Sequence, residues 1–372
     1  MKKLKYLAIR LAIAGMRLLY LPMKLLPTQK KVVMISRQSD HPSVDMRLLK
    51  DRILREYPDC RVLILAKKLG NPIPYLFHIL RQMVHIATAK AVVLDSYCIP
   101  ISVLNHKKSL IVIQMWHSMG CMKKFGYAML DMEEGSDPVI ARLMRMHYNY
   151  TYILISSFSY LQDYIEGFRT TPDKVLQIPQ PRADILLDKE EMARIRSRWI
   201  EKIPALGTKK NILYCPTFRK RFSQEDSDAV RSLIDQVDFQ RFNLIYKPHS
   251  VSEMQIDDPR IISADMNQID AMAVADYVIS DYSSIIYEAG LCRLPVFLYM
   301  YDWDHYSEKR ALNLDYETGI PLMKARTPEP ILRAIEAGPV VDQAFMDFVN
   351  RNVVMPESSC CEAIIGLMGL SR

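Results

Sequence analysis

Ala275-Asp276-Tyr277-Val278-Ile279-Ser280-Asp281-Tyr282-Ser283-Ser284-Ile285-Ile286-Tyr287-Glu288-Ala289-Gly290 reads as a buried strand, a polar turn and a helix start. Tyr277 to Ile279 is apolar and β-favouring. Asp281, Ser283 and Ser284 are all good helix N-caps. From Ile285 to Leu291 the chain is apolar, with Glu288 set among the apolar residues. A strand that runs into a helix N-terminus leaves free N–H groups and a positive dipole end, a natural seat for phosphate. The hydroxyls of Ser283 and Ser284 add donors there, and Glu288, one turn deeper, is placed to accept from a ribose. The same pattern also fits an ordinary capped helix of an α/β domain.

Working outward, that strand is one of a series. Asn211–Cys215, Asn243–Tyr246, Arg260–Ser263, Asp276–Ser280 and Pro295–Tyr299 are strand candidates, with helices between them at Asp226–Val237 and Asn267–Ala275. An earlier series runs Val32–Ser36, Arg61–Ala66, Ala91–Asp95, Leu110–Gln114 and Tyr152–Ser156, with helices at Asp45–Tyr57 and Ile73–Ala89. Apolar strands alternating with helices predict parallel sheets covered on both faces. The 372 residues exceed one typical core. We therefore expect an α/β protein with two doubly wound domains of Rossmann type, facing a cleft. A polar connection between about Pro179 and Pro204 separates them. The domains expected are 31–185 and 186–372, preceded by a helix over 1–30. The last segment, Pro328 to Arg372, is expected to finish the second domain with helices and to be able to cross back to the first.

Composition sets limits. Hydrophobic content of 49% and charged content of 24% are those of a globular protein. Seven scattered cysteines without a C-x-x-C pair fit a reducing compartment, not a disulfide framework or structural zinc. The net charge is +7, but residues 1–31 carry eight cations and no acid, which leaves the body at −1. No general nucleic-acid surface is expected.

Within the amino-terminal segment, Lys3, Arg10, Arg17 and Lys24 recur every seven residues among Leu, Ile, Ala, Met and Tyr. On a helix they form one stripe. Spanning a membrane would bury Arg10 and Arg17 in hydrocarbon, and Arg10 interrupts the apolar run a signal peptide needs. The expectation is a helix lying in an anionic membrane surface, ended by Pro22 and Pro27. Packing on the body of the protein is the alternative.

The unusual residues fall where ligands sit in such sheets, past the carboxyl ends of strands. These are Trp116-His117, then Pro216-Thr217-Phe218-Arg219, then Lys247-Pro248-His249, then Asp281 to Ser284. His117 is the side chain suited to take a proton from a hydroxyl near neutral pH. Gly120 would admit a close backbone approach to a ligand. Lys123 and Lys124 could meet phosphate. Lys247, His249 and Arg219 suit the anionic oxygens of a diphosphate. No Walker-type loop is present, and no His/Cys/Asp set has a convincing metal spacing.

Together, Gln114-Met115-Trp116-His117, Pro181-Arg182-Ala183-Asp184, Leu213-Tyr214-Cys215-Pro216-Thr217-Phe218-Arg219, Lys247-Pro248-His249 and Ser280-Asp281-Tyr282-Ser283-Ser284 resemble, in order, the motifs of the CDP-glycerol glycerophosphotransferase family. Pro295 to Asp302 and Leu314 to Glu317 resemble it too, so the likeness spans Val32 to Leu322. The resemblance implies a GT-B fold and the priming or polymerisation of teichoic acids without a cofactor. An acceptor hydroxyl would attack the β-phosphorus of CDP-glycerol or another CDP-polyol, and CMP would leave. His117, with Trp116, Ser118, Gly120 and Lys124 around it, would be the base on an acceptor-side domain. His249 and Lys247 would hold the diphosphate on a nucleotide-binding domain. Ser283 and Ser284 would bind phosphate at the helix N-terminus, Glu288 the ribose, and Asp281 would belong to the same substrate site. Arg182, Asp184, Thr217 and Arg219 would line the donor site. The acceptor would be lipid-linked, and the enzyme peripheral on the cytoplasmic face of the membrane.

Departures bear on the donor. The family's usual Gly-Thr-Pro-Leu-Lys after Trp-His is here Ser118-Met119-Gly120-Cys121-Met122-Lys123-Lys124, closer to members using ribitol phosphate or other polyols. Ala183 stands where Asn is common and Glu288 where Asp is common. A glycosyltransferase using a nucleotide sugar and a non-catalytic membrane-bound scaffold are the competing expectations.

Overall fold

A computed structural model describes residues 2–130, 132, 135–217, 219, 223–248 and 256–371. The chain forms two units. The first comprises 1–118, 124–181 and 354–372; the second comprises 119–123 and 182–353. The main segment of the second unit begins at Arg182, directly after Pro181 of the first. Helices Pro328–Glu336 and Gln343–Asn352 belong to the second unit, and the final nineteen residues cross back to the first. The reason lies in side-chain burial: Cys360, Ile364 and Met368 are fully buried. Their helix, Cys360–Gly366, packs on a helix of the first unit, Val44–Glu56, where Arg52 pairs with Glu362.

In the first unit, strands β1 (Lys31–Ser36), β2 (Arg61–Ala66), β3 (Ala91–Leu94), β4 (Ile111–Gln114), β5 (Tyr152–Ile155) and β6 (Val175–Gln177) form one parallel sheet in the order β2-β1-β3-β4-β5-β6. Every residue of β1 and β3 is buried, as expected of strands covered on both faces. The strand order reverses between β1 and β3, which makes their carboxyl ends the topological switch point. Helix α1 spans Lys2–Met23, α2 Val44–Glu56, α3 Pro72–Ala87, α4 Ile99–Val103, α5 Pro138–Leu143 and α6 Leu161–Phe168. Ser43 caps α2, accepting from Met46 N at 3.3 Å.

Among the described residues, α1 is the one helix long and apolar enough to cross a membrane. It packs on α3 and α5, burying Ile13 and Tyr20. Tyr6 donates to Asp137 (2.9 Å), Arg17 donates to the Val103 carbonyl (2.9 Å), and the Tyr20 hydroxyl meets His106 Nδ1 (2.9 Å). One face of the helix is thus docked on its own protein, and the cationic stripe runs along the flank of that face. The face turned away carries Leu4, Leu7, Leu11 and Leu18, each more than half exposed. α3 adds exposed Ile73, Leu76 and Phe77.

In the second unit, β7 (Lys210–Tyr214), β8 (Phe242–Tyr246), β9 (Ile261–Ile262), β10 (Tyr277–Ser280), β11 (Val296–Tyr299) and β12 (Met323–Ala325) form a parallel sheet in the order β12-β11-β10-β7-β8-β9. Its switch point is β7/β10. Ile212, Leu244, Ile279 and Phe297 from the strands meet Val230, Leu233, Ile331 and Ile335 from helices in its core.

Candidate functional site

In the first unit, the carboxyl ends of β1, β3 and β4 surround a cavity of about 400 Å³ lined by Arg37, Gln38, Ser96, Tyr97, Trp116, His117, Met146 and His147, among others. His117 Nδ1 lies 3.0 Å from the Asp95 carbonyl and 3.2 Å from the Gln38 amide. A carbonyl only accepts, so Nδ1 carries the proton and Nε2 carries the lone pair. Gln38 must then turn its amide oxygen toward the ring. Backbone geometry aims the histidine. Trp116 sits at φ 63°, a left-handed conformation costly for a bulky residue. It is retained because Trp116 N donates to Gln114 Oε1 (3.1 Å) and the indole packs against Phe125 and Phe168. Gln180 Nε2 donates to the carbonyls of Met115 (3.2 Å) and Ser118 (3.0 Å), fixing the turn from both sides. Ser118 thus contributes its carbonyl to the turn.

Two charged groups were not singled out from sequence: Arg37, which lines this cavity, and Asp95, whose carbonyl holds His117. Arg37 stacks on Tyr97 with Nη1 on the Tyr97 carbonyl (3.1 Å). Its Nε is buried without a partner, and no carboxylate pairs with it among the described residues. Asp95 is buried, with the Ser36 and Ser96 hydroxyls as the polar groups at its carboxylate. Burial pushes its pKa up to about 6, with the Ser36 and Ser96 hydroxyls offsetting part of the rise. Beside them, burial and then Arg37 lower His147 to about 3, so it stays neutral. Arg37 and Asp95 stand directly after strands, β1 and β3, so the signal was their position at the switch point.

The second unit gathers its own set at β7/β10. Asp281 Oδ1 accepts from Thr217 N (2.8 Å) and Tyr282 N (2.6 Å), and Oδ2 accepts from Arg219 Nη1 (2.9 Å). Arg219 also grips Asp302 through Nη2 (2.9 Å) and meets Asp226 at 2.8 Å. Tyr282 and Tyr301 donate to Asp302 (3.0 Å) and Asp226 (2.6 Å). This corrects two expectations. Arg219 is enclosed by three carboxylates instead of presenting a fork to a diphosphate, and Asp281, fully buried, ties the end of β7 to β10 instead of lining a ligand surface.

Glu288 is likewise closed in. It is buried, ion-paired with Arg182 Nη1 (3.0 Å) and bonded by Gln268. Arg182 and Glu288 are thus held together as a buried ion pair within the second unit. Gly120 (φ 66°) makes its close approach to a side chain: a Cβ there would lie 2.4 Å from the Tyr287 ring. Lys123, not Lys124, reaches Thr217, with Nζ 3.0 Å from Oγ1. Lys124 is half-buried in the first unit.

Other expected residues keep accessible polar groups. Ser283 and Ser284 are half-buried at the start of the helix Ile285–Leu291, and the Ser284 hydroxyl caps no N–H. Lys247 follows β8 and donates to the Met266 carbonyl (2.8 Å). Asp184 lies in the first turn of the helix Arg182–Leu187, half-buried. His249 lies outside the described residues. Among the described residues, no three His, Cys, Asp or Glu side chains converge as a metal set.

Comparison with known proteins places these two sheets. Residues 19–351 match the family model of CDP-glycerol:poly(glycerophosphate) glycerophosphotransferase. The chain belongs to this family. It is 27% identical to the teichoic acid ribitol-phosphate primase of Bacillus spizizenii over 345 residues, covering 89% of this chain and 88% of that one. Against the teichoic acid glycerol-phosphate primase of Bacillus subtilis it is 27% identical, covering 76% and 73%. The solved structure of the wall teichoic acid polymerase TagF superposes with a TM-score of 0.74 at 19% identity, covering 99% of this chain and 96% of that one. The fold is thus the GT-B-like one expected, and the family's chemistry is polyol-phosphate transfer in teichoic acid synthesis.

Proposed function

We propose that this glycerophosphotransferase-family enzyme transfers ribitol phosphate, or a similar polyol phosphate, from a CDP-activated donor to a hydroxyl of a membrane lipid-linked acceptor. The carrying observation is the His117 imidazole, whose Nδ1–H is committed to the Asp95 carbonyl so that Nε2 acts as base. In this reading His117 takes the acceptor proton as the oxygen attacks the β-phosphorus, and CMP leaves with the electron pair of the broken P–O bond. Arg37, a guanidinium without a carboxylate partner in the same cavity, holds an anionic group of the acceptor near the attacking hydroxyl.

The donor groups belong to the second unit. Lys247 and His249 hold the diphosphate, and the Ser283 and Ser284 hydroxyls with the N–H groups behind them take a phosphate. The similarity to a ribitol-phosphate primase and the Ser118 to Lys124 run both favour ribitol over glycerol. The exposed leucines of α1, with Lys3 and Arg10 beside them, and the exposed apolar residues of α3 support a peripheral seat on the cytoplasmic face of an anionic membrane.

Purified protein should release CMP from CDP-ribitol, and more slowly from CDP-glycerol, when given a lipid-linked acceptor. Release of UDP or GDP from a nucleotide sugar, with no CMP from either polyol donor, would overturn the assignment.

A further inference from the structure

Next to the His117 cavity lies a second one of about 320 Å³, lined by Tyr127, Arg142, Arg145, Met146, His147, Tyr148 and Arg169. Met146 and His147 line both cavities and so form a shared wall. Three guanidinium groups face this small volume. None has a carboxylate partner among the described residues. Arg145 stacks 3.7 Å over the Tyr148 ring and Arg169 lies 5.3 Å over Tyr127. Aromatic stacking holds guanidinium planes in place while leaving their N–H edges able to donate.

The backbone here is strained. Arg145 (φ 47°), His147 (φ 61°), Asn149 (φ 71°) and Arg169 (φ 52°) are four of the six non-glycine residues with positive φ among the described residues. Arg169 ends α6 in the left-handed position that helices usually give to glycine. Asn149 secures the segment by donating to the carbonyls of Ile101 and Leu104, each at 2.8 Å. Such conformations persist where the surroundings enforce them, and they concentrate at ligand sites. The cavity also adjoins the apolar surface. Arg142 lies on α5, and the Asp137 cap of that helix accepts from Tyr6 of α1.

We propose that the Arg142–Arg145–Arg169 cavity binds the diphosphate headgroup of the lipid that carries the acceptor. This rests on the transferase reading for its place in the reaction, though not for the binding itself. Three clustered cations match a group with several negative charges, and the neighbouring leucine face of α1 places a hydrocarbon tail in the membrane. The reacting end of the acceptor would pass Met146 and His147 toward His117.

The test uses full-length protein in detergent, comparing wild type with R142Q/R169Q. Both side chains are exposed, so the folded state should survive; R142K/R169K serves as the charge-retaining control. Calorimetric titration with inorganic pyrophosphate should show binding weakened at least tenfold in the glutamine variant and largely restored in the lysine variant. In turnover, the KM for a lipid-diphosphate acceptor should rise tenfold or more with kcat little changed. A soluble acceptor with the same hydroxyl but no diphosphate should be unaffected. Unchanged pyrophosphate binding would overturn the proposal. So would weakened binding of glycerol 3-phosphate with pyrophosphate intact, which would assign the cavity to polymer phosphodiester. Loss of binding to phosphatidylglycerol vesicles without loss of pyrophosphate binding would overturn it too, in favour of a general membrane contact. Should wild type release no CMP from any donor, the transferase reading falls while the pyrophosphate titration still decides the site.

Discussion

At the scale of single residues, the histidine and the groups around it separate chemistry from scaffold. Replacing His117 by Ala should lower CMP release about a thousandfold, within the usual range for loss of a general base, with the thermal midpoint unchanged. Retained turnover would remove His117 from the mechanism. Arg37→Gln should raise the acceptor KM about ten- to a hundredfold, the loss expected for a charge-assisted bond, and leave the donor KM as it was. A rise confined to the donor KM would reassign Arg37 to the nucleotide. Asp95 has a pH signature. Its folded pKa, raised by burial to about 6, means that the folded state holds more protons than the unfolded state between the two values. Stability therefore falls as pH rises from about 4 through 6. Asp95→Asn should be more stable than wild type at pH 7.5 and lose that advantage near pH 4. Equal unfolding differences at both pH values would contradict the assignment.

Among the elements, strands of four residues or more were legible, and of the three short edge strands only β9 was, from its Ile261-Ile262 pair. β1, β2, β7 and β8, five or six residues long, announce themselves by apolar runs of three to five residues. β6 and β12 went unread because each is a three-residue edge strand, and Met323-Lys324-Ala325 carries no apolar run. The switch-point loops were legible from residue type, but side-chain direction was not. Arg219 looks like a phosphate ligand in sequence; its three acidic partners come from positions 226, 281 and 302 and are brought together only by the fold. Gly120 fails for the same reason, since Tyr287 is distant in sequence. Gly120→Ala should cost about 2 kcal/mol or more, combining a left-handed backbone with an overpacked contact, as measured by chemical denaturation. For α1, four substitutions, Leu4, Leu7, Leu11 and Leu18 to Ser, should weaken binding to anionic vesicles at least tenfold while Tyr20 and Ile13 keep the helix docked. Unchanged sedimentation with vesicles would remove that face from any membrane role.

Across the whole molecule, the first unit depends on sequence from both ends. Removing residues 354–372 would expose the sites of Cys360, Ile364 and Met368, all fully buried. At about 1.5–3 kcal/mol for each large apolar side chain, the loss is comparable to the entire stability of a domain. Limited proteolysis of the truncated protein should digest 31–181 and spare 182–353. Equal resistance of the two segments would contradict this division of the chain.

That closing segment also sets an order of assembly during synthesis. Residues 182–353 are nearly continuous, so the second unit can mature while translation is still under way. The first unit, although made first, must wait with an incomplete core until the final helix emerges from the ribosome and docks on α2. During that interval the early half of the nascent chain is the part exposed to chaperones and proteases, and codon changes that slow the end of translation would lengthen the exposure.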